Sequence, residues 1–189
     1  LDRWILSELQ TLIHDLNTEM EAYRLYRTVP AMVAFVEKLT NWYIRRSRRR
    51  FWKSEDDQDK NSAYATLYYV LTHTVRAIAP VLPFVSETIY QNLVRNSENA
   101  TVESVHLCDF PEVDESLTDE DILNEVDTVI QIVSLCRSAR NKANIKIRQP
   151  LAELALFAKK EVNKIALNNQ KEILEELNIK SLNLVENES

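Results

Sequence analysis

Apolar residues recur every three or four positions along most of this sequence, which is the spacing of amphipathic helices. The pattern predicts five helices, at residues 2–23, 25–52, 60–79, from Pro83 to about 95, and 119–143. Asp2 is placed to cap the first helix, and Pro80 and Pro83 interrupt the third. Residues 104–107 are expected to be extended and 111–121 to form an acidic loop.

The pattern changes after Pro150. Alternating apolar positions predict a strand at 151–158, an amphipathic helix at 161–177 and a second strand at 179–185. The fold class expected is therefore mainly α. It consists of a helical bundle at 1–148 and a small strand-helix-strand subdomain of α+β type at 149–189, which we expect to be truncated.

Composition excludes several kinds of site. The chain has 189 residues and no glycine, where average usage would be about 7%. A phosphate-cradling loop, a dinucleotide-binding fingerprint and a serine nucleophile elbow all need glycine, so none of them is expected. The two cysteines suit a reducing compartment without a disulfide framework. The apolar runs are too short to cross a bilayer, so we expect no membrane contact.

Positive charge is concentrated in one segment. The net charge of the chain is -6, yet residues 24–53 carry nine Lys or Arg and one acid, a local charge of +8. The remainder therefore carries -14. Six of the nine residues from Arg45 to Lys53 are cationic. Such segregation on an acidic protein indicates one site that faces a polyanion.

The arginines of this segment divide into two sets when the helix is continued through them. Arg45, Arg48 and Arg49 point away from the apolar face and are predicted to bind phosphates. Arg46 and Arg50 extend the apolar face, so they are expected to pack their stems and to pair with carboxylates of neighbouring helices, besides being candidates for nucleic-acid contact. The apolar face itself comprises Met32, Phe35, Val36, Leu39, Trp42 and Tyr43.

A second basic cluster closes the fifth helix. Arg137, Arg140 and Lys142 lie in its last turns, and Lys146 and Arg148 follow without an intervening acid. Cations are favoured at a helix C-terminus by the helix dipole, which explains the cluster without a ligand. Contact with nucleic acid is the alternative. Arg140 continues the apolar face, and we expect it to be packed.

No catalytic or metal site is predicted. The three histidines, His14, His73 and His106, are scattered, and no set of His, Cys, Asp and Glu has the spacing of metal ligands. The carboxylates fall in solvated runs rather than in pairs on one apolar face. Each histidine is therefore interpreted as structural.

Four segments together resemble one family. Residues 41–52, NWYIRRSRRRFW, are similar to the signature stretch of the isoleucyl-tRNA synthetases. Residues 79–90, APVLPFVSETIY, resemble a segment shared by the valyl, leucyl and isoleucyl enzymes. Residues 1–6 resemble the start of their anticodon-binding helical bundle, and 137–142 with 147–151 resemble its close. The resemblance covers about residues 1–158.

The resemblance implies a fragment of a class I aminoacyl-tRNA synthetase, namely its C-terminal anticodon-binding domain. Such a domain packs against the anticodon stem-loop of isoleucine tRNA and against other domains of the parent enzyme, an ATP-dependent isoleucine–tRNA ligase. The catalytic motifs of that family are absent from these residues. We therefore expect a cytoplasmic, monomeric tRNA-binding module with no cofactor of its own, ATP and Mg belonging to the parent catalytic domain.

In this interpretation Arg45, Arg48, Arg49 and Lys53 neutralise phosphates. Trp52 either stacks on an unpaired loop base or anchors the end of the helix, and the sequence does not decide between the two. The alternative function is a structural or protein-interaction bundle whose basic segment docks an acidic partner or domain. The acidic residues 111–127 of the same chain are one such candidate.

Overall fold

The computed structural model describes residues 1–53, 57–95 and 102–185, with the exception of the side chain of Lys53. Residue contacts divide the chain into two compact units, Leu1–Glu120 and Asp121–Ser189. Each unit is described by itself below. The domain boundary expected after residue 148 stays a prediction.

The first unit is built almost entirely from helices, which confirms the predicted fold class. Its α-helices are α1 (Asp2–Glu21), α2 (Leu25–Lys38), α3 (Arg45–Lys53), α4 (Asp57–Ile78) and α5 (Pro83–Tyr90). A π-helical turn, Leu39–Ile44, joins α2 to α3, and a second one, Gln91–Arg95, follows α5. Two short 3₁₀ helices complete the unit, Val105–Leu107 and Glu115–Leu117.

The core of this unit lies along α1, which packs against α2 and α4. The apolar positions of α1 are fully or almost fully buried, and each contributes roughly 1.5–3 kcal/mol; they are Trp4, Ile5, Leu9, Leu12, Ile13 and Leu16. Glu8 is buried among them. It accepts hydrogen bonds from the Trp4 indole at 3.1 Å and from Lys38 of α2 at 2.6 Å. The buried charge is therefore paired, as burial requires.

Two local predictions are wrong, and side-chain hydrogen bonds explain both. Leu1 rather than Asp2 occupies the N-cap position of α1, and no side chain caps it. The Asp2 carboxylate instead binds Arg50. Residues 105–107 form a 3₁₀ helix instead of an extended segment. There Glu87 accepts from the Ser104 hydroxyl at 2.9 Å and from the Val105 amide at 3.0 Å, which fixes the start of the turn.

The helix predicted from residue 25 to 52 is interrupted. The π-helical turn Leu39–Ile44 holds one residue more than an α-helical turn would, so the residues after it are rotated relative to an unbroken helix. Both Trp42 and Tyr43 are buried there. Beyond the turn the buried positions are Ser47 and Phe51.

The second unit contains the strand-helix-strand motif that the sequence predicts. Its elements are α6 (Glu120–Lys142, of which Asp121 onward belongs to this unit), β1 (Leu151–Leu156), α7 (Lys160–Asn168), α8 (Gln170–Leu177) and β2 (Ile179–Leu184). The strands pair in parallel, with Leu151 opposite Ile179 and Leu156 opposite Leu184. The predicted single helix is divided at Asn169. The Asn169 side-chain amide donates to the Ile165 carbonyl and to Glu125 of α6 at 2.7 Å.

Without glycine, the left-handed backbone positions fall to other residues. Among the described residues they are Tyr23, Asn144 and Asn178, with φ of 56°, 55° and 51°. Asparagine visits this region readily because its short polar side chain bonds locally. Asn178 ends α8 in this conformation, and its side chain donates to the Arg148 carbonyl at 3.0 Å. The loop before β1 is thereby tied to the loop before β2.

Candidate nucleic-acid interface

Helix α3 presents three arginines to solvent. Arg45, Arg48 and Arg49 are all exposed, as the sequence predicts. The Arg45 Nε donates to the Asn41 carbonyl at 2.8 Å, which orients its side chain along the helix. No acidic residue lies between Arg45 and Lys53, so one face of a short helix carries charge of a single sign. Such a face attracts phosphates by Coulomb forces and by release of their counterions.

The other two arginines of α3 are turned inward. Arg46 is half-buried, and its guanidinium lies 5.0 Å from the centroid of the Trp42 ring. Arg50 binds Asp2 by two hydrogen bonds of 2.7 Å, and its Nε lies 3.0 Å from each carboxylate oxygen of Asp59. The structure thus confirms that Arg50 pairs with carboxylates of neighbouring helices. Contact of Arg46 and Arg50 with tRNA stays a prediction.

The carboxylates around Arg50 shift several protonation equilibria. The Arg50 guanidinium holds the pKa of Asp2 below its usual value, chiefly by hydrogen bonding. The pKa of Arg50 is raised in turn, first by its hydrogen bonds to Asp2. Tyr43 donates its hydroxyl proton to Asp2 at 2.9 Å, and burial together with this bond raises the Tyr43 pKa. Arg50 is therefore a fixed cation at any physiological pH and orients α3 on the bundle.

Trp52 extends the cationic face with an aromatic surface. Its side chain is 71% exposed, and the Arg48 guanidinium lies 5.1 Å from the centroid of its ring. Of the two interpretations of Trp52, this exposure favours a ring available for stacking over an anchor of the helix end. The neighbouring Phe51 anchors the helix end instead, with 8% exposure and its ring 5.1 Å from that of Tyr64. Lys53 closes α3, and its side chain lies outside the described part of the structure.

The apolar periodicity of the sequence does not predict the anchoring role of Phe51. Residues 51 and 52 are both aromatic, and an unbroken helix places neither of them decisively in the core. The phase set by the π-helical turn decides between them, since the buried positions 43, 47 and 51 then follow one another at intervals of four. A search for that spacing would have identified Phe51.

The second basic cluster is divided between the surface and the interior of its unit. Arg140 is only 4% exposed, which confirms that it is packed. Its guanidinium donates to the backbone carbonyls of Lys146, Gln149, Leu177 and Asn178 at 2.7–3.4 Å. Arg137 pairs with Glu176 at 2.8 Å, and Lys142 is exposed. Arg140 thus holds the chain around β1 and β2, while Arg137 and Lys142 remain candidates for phosphate contact.

A pocket of about 270 Å³ lies beside this cluster. It is lined by Arg137, Arg140, Asn141, Ile145 and Ile147. The exposed Arg137 guanidinium and the Asn141 amide at its wall suit an anionic or carbonyl oxygen, whereas the Arg140 guanidinium is engaged with backbone carbonyls.

The described residues contain no group of three or more His, Cys, Asp or Glu arranged to hold a metal ion. His73 is half-buried with its ring stacked on Tyr69, and burial lowers its pKa. His14 and His106 are exposed and lie in different helices. Within the described ranges, no helix is both long and apolar enough to pass through a membrane.

Comparison with known proteins identifies the family. A sequence family described as "Anticodon-binding domain of tRNA ligase" matches residues 2–156. An isoleucine–tRNA ligase of Dehalococcoides mccartyi is 48% identical over 183 residues, which are 96% of this chain and 18% of that protein. The corresponding ligase of Clostridium novyi is 48% identical over 84% of the chain, and that of Treponema pallidum 44% identical over 96%.

The chain spans less than a fifth of the length of these relatives, with shares of 18%, 15% and 16%. The match nevertheless includes every helix of the first unit, with α3 and its arginines, and extends through α6 to the end of β1. The chain therefore belongs to the family of anticodon-binding domains of tRNA ligases.

Proposed function

We propose that this chain is the module of an isoleucine–tRNA ligase that binds the anticodon stem-loop of isoleucine tRNA. The observation that carries the proposal is the exposed face of α3, where Arg45, Arg48 and Arg49 lie beside the exposed Trp52. RNA loops are recognised by stacking on aromatic side chains or guanidinium planes while nearby cations neutralise the backbone. This face offers both kinds of contact within two turns of helix.

The rest of the proposal concerns the longer polypeptide. It would activate isoleucine with ATP and Mg and transfer it to the bound tRNA at a site outside these residues. This module would position the tRNA for that reaction and act in the cytoplasm within a monomeric enzyme. The relatives support this proposal because they are isoleucine–tRNA ligases in which the matching region is a minor part.

The remaining members of the predicted site have different places in this proposal. Lys53, Arg137 and Lys142 would add phosphate contacts. Arg46, Arg50 and Arg140 would act through the fold, since their guanidinium groups are already engaged with Trp42, with Asp2 and Asp59, and with four carbonyls. The acids that hold Arg50 lie outside residues 111–127, so that stretch is not the partner of this arginine.

The test is a binding titration of the chain with an isoleucine anticodon stem-loop, at two salt concentrations, against a stem-loop of equal length with another anticodon. We expect tighter binding to the isoleucine loop and weaker binding at higher salt. The triple variant Arg45→Ala, Arg48→Ala, Arg49→Ala should lower the slope of log K against log salt by about 2, since each lost contact with a single strand removes about 0.7.

A matched control removes the same charge elsewhere. Lys160, Lys164 and Lys171 are exposed on α7 and α8, so their replacement by alanine changes the net charge equally. The proposal requires this control to bind nearly as the parent chain does. Binding that is unchanged in the arginine variant, or equally reduced in both variants, would contradict it. If the basic segment instead docks an acidic protein partner, which is the alternative function, the chain should bind the two stem-loops equally.

A further inference from the structure

Helix α2 carries an apolar face that the other described residues of the first unit leave uncovered. Leu25, Tyr26, Val29, Val33 and Val36 are 60%, 71%, 47%, 52% and 42% exposed. We call these five residues the α2 stripe. From Tyr26 onward they follow one another at intervals of three, four and three residues, so they line one side of the helix. The sequence pattern assigned Val36 to the buried face, and its exposure corrects that prediction.

The stripe is wide enough to be an interface rather than scattered surface residues. Single exposed apolar side chains are ordinary, but a contiguous apolar face about 100° wide is typical of a helix that packs against another element. The opposite side of α2 already does so, through Thr28, Met32 and Phe35, which are buried. The helix is therefore apolar on two sides and has a described partner on one.

Charge argues against RNA as the partner of the stripe. Arg27 is the only cation between residues 25 and 36. It lies 3.6 Å from Glu19 and over the ring of Tyr26. A surface whose one cation is paired with a carboxylate gains little from phosphates. The three exposed arginines of α3 begin at Arg45, beyond the π-helical turn.

The size of the stripe argues against a separate molecule. Stable complexes between independent proteins bury about 800 Å² per partner, contributed by about 20–30 residues on each side. Five side chains supply much less. A partner in the same polypeptide needs far less contact area, because tethering gives it an effective concentration in the millimolar range. Such a partner is available, since the matching relatives are more than five times as long as the region they share with this chain.

We propose that the α2 stripe is the surface on which another part of the same polypeptide docks, through an apolar and weakly charged patch of its own. This rests on the proposed function in one respect, namely that the chain is a module of a longer tRNA ligase. The helical segment that runs from α2 through the π-helical turn to α3 would then have two roles. Its first half fixes the module to the enzyme, and its second half, α3, binds the tRNA.

The test measures solvent access to the stripe by cysteine labelling. Val33→Cys is made in a background where Cys108 and Cys136 are replaced by serine, both in this chain and in the full-length ligase. A maleimide reagent then reports how fast the thiol reacts. Val29→Cys provides a second position, and Leu167→Cys, which replaces a residue 52% exposed on α7, monitors general loss of access. Circular dichroism verifies that each variant folds.

We expect the thiols at 29 and 33 to react at least about tenfold more slowly in the full-length ligase than in this chain, because the centre of an interface excludes solvent. Reaction at position 167 should not slow to the same extent. Equal rates at 29 and 33 in both proteins would overturn the proposal. Protection that appears in this chain only on concentrating it would assign the stripe to a second copy, and protection only with stem-loop RNA would assign it to the RNA. Either result would also overturn the proposal.

The outcome is separable from that of the proposed function. Labelling requires no RNA, so a ligase that protects positions 29 and 33 supports the docking surface even if this chain fails to bind the stem-loop. Conversely, selective stem-loop binding by this chain does not determine whether positions 29 and 33 are protected in the full-length ligase. The two measurements therefore fail independently.

Discussion

Arg50 and Asp2 face each other through two parallel hydrogen bonds of 2.7 Å, although they are 48 positions apart in the sequence. This fork-to-fork contact joins α3 to the first turn of α1. Tyr43 and Asp59 complete the arrangement, the first by donating to Asp2 and the second by accepting from Arg50. The helix that carries the exposed arginines is thereby held in a fixed orientation by an arginine of its own.

Replacing Asp2 by asparagine should destabilise the chain by about 1–3 kcal/mol, because it removes charge-assisted hydrogen bonds from a guanidinium that is largely buried. Chemical denaturation measures the change in unfolding free energy. Asp15→Asn is the matched control, since Asp15 is an exposed carboxylate on the same helix, and we expect a change within about 0.5 kcal/mol. Equal effects of the two substitutions would show that the Asp2–Arg50 pair adds nothing to stability.

The same pair predicts a pH dependence. Arg50 holds the pKa of Asp2 below its ordinary value of 3.8. The charged carboxylate is therefore more stable in the folded state than in the unfolded state. The resulting stabilisation is fully present above 3.8 and is lost as the pH falls through the lowered pKa of the folded state. The difference in unfolding free energy between the parent chain and Asp2→Asn should therefore be constant at neutral pH and shrink in strong acid. A difference independent of pH would contradict this assignment.

The periodicity of apolar residues was sufficient for most elements. The buried positions of α1 and the strand-helix-strand order of the second unit follow directly from spacing, because each depends on which side of one element faces the core. The division of the arginines also follows from spacing, with Arg45 and Arg48 exposed and Arg50 inward. These features need only local sequence.

Other features depend on contacts between distant residues, which spacing does not reveal. The π-helical turn before α3 coincides with Tyr43 reaching Asp2, 41 positions away. The turn changes the helical phase, and the new phase places Phe51 in the core. Likewise, the α2 stripe has the composition of a core face, and only the structure shows that this unit leaves it uncovered.

Trp52 should contribute to RNA binding but not to stability. Stacking of one unpaired base on an aromatic ring is worth about 1–3 kcal/mol by alanine substitution. Trp52→Ala is therefore expected to weaken stem-loop binding by that amount and, because the side chain is 71% exposed, to leave the unfolding free energy nearly unchanged.

Trp52→Phe keeps an aromatic ring and should retain most of the affinity. Combined with Arg48→Ala, the tryptophan variant also tests whether the two side chains act together. Their contact predicts that the double variant loses less affinity than the sum of the single variants. Full affinity in Trp52→Ala would exclude the ring as a stacking surface.

Replacing Arg140 should lower the stability of the fold strongly and change RNA binding little, which is the opposite of the result expected for Trp52. Its guanidinium serves the carbonyls of Lys146, Gln149, Leu177 and Asn178 from a buried position. A lysine at this position cannot reproduce that fork and would leave buried acceptors unpaired. Arg140→Lys is therefore expected to cost about 2–4 kcal/mol, since each unsatisfied buried group costs about 1–3 kcal/mol.

Hydrogen exchange localises this loss, because amides near Leu151 and Ile179 should exchange faster when the carbonyls around them are released. Arg137→Lys is the control, since Arg137 is exposed and a lysine there keeps a positive charge beside Glu176. An Arg140→Lys variant that is as stable as the parent chain yet binds the stem-loop more weakly would assign Arg140 to the RNA. The four carbonyl contacts make the structural role the expected result, because a guanidinium that satisfies them has few donors left for a phosphate.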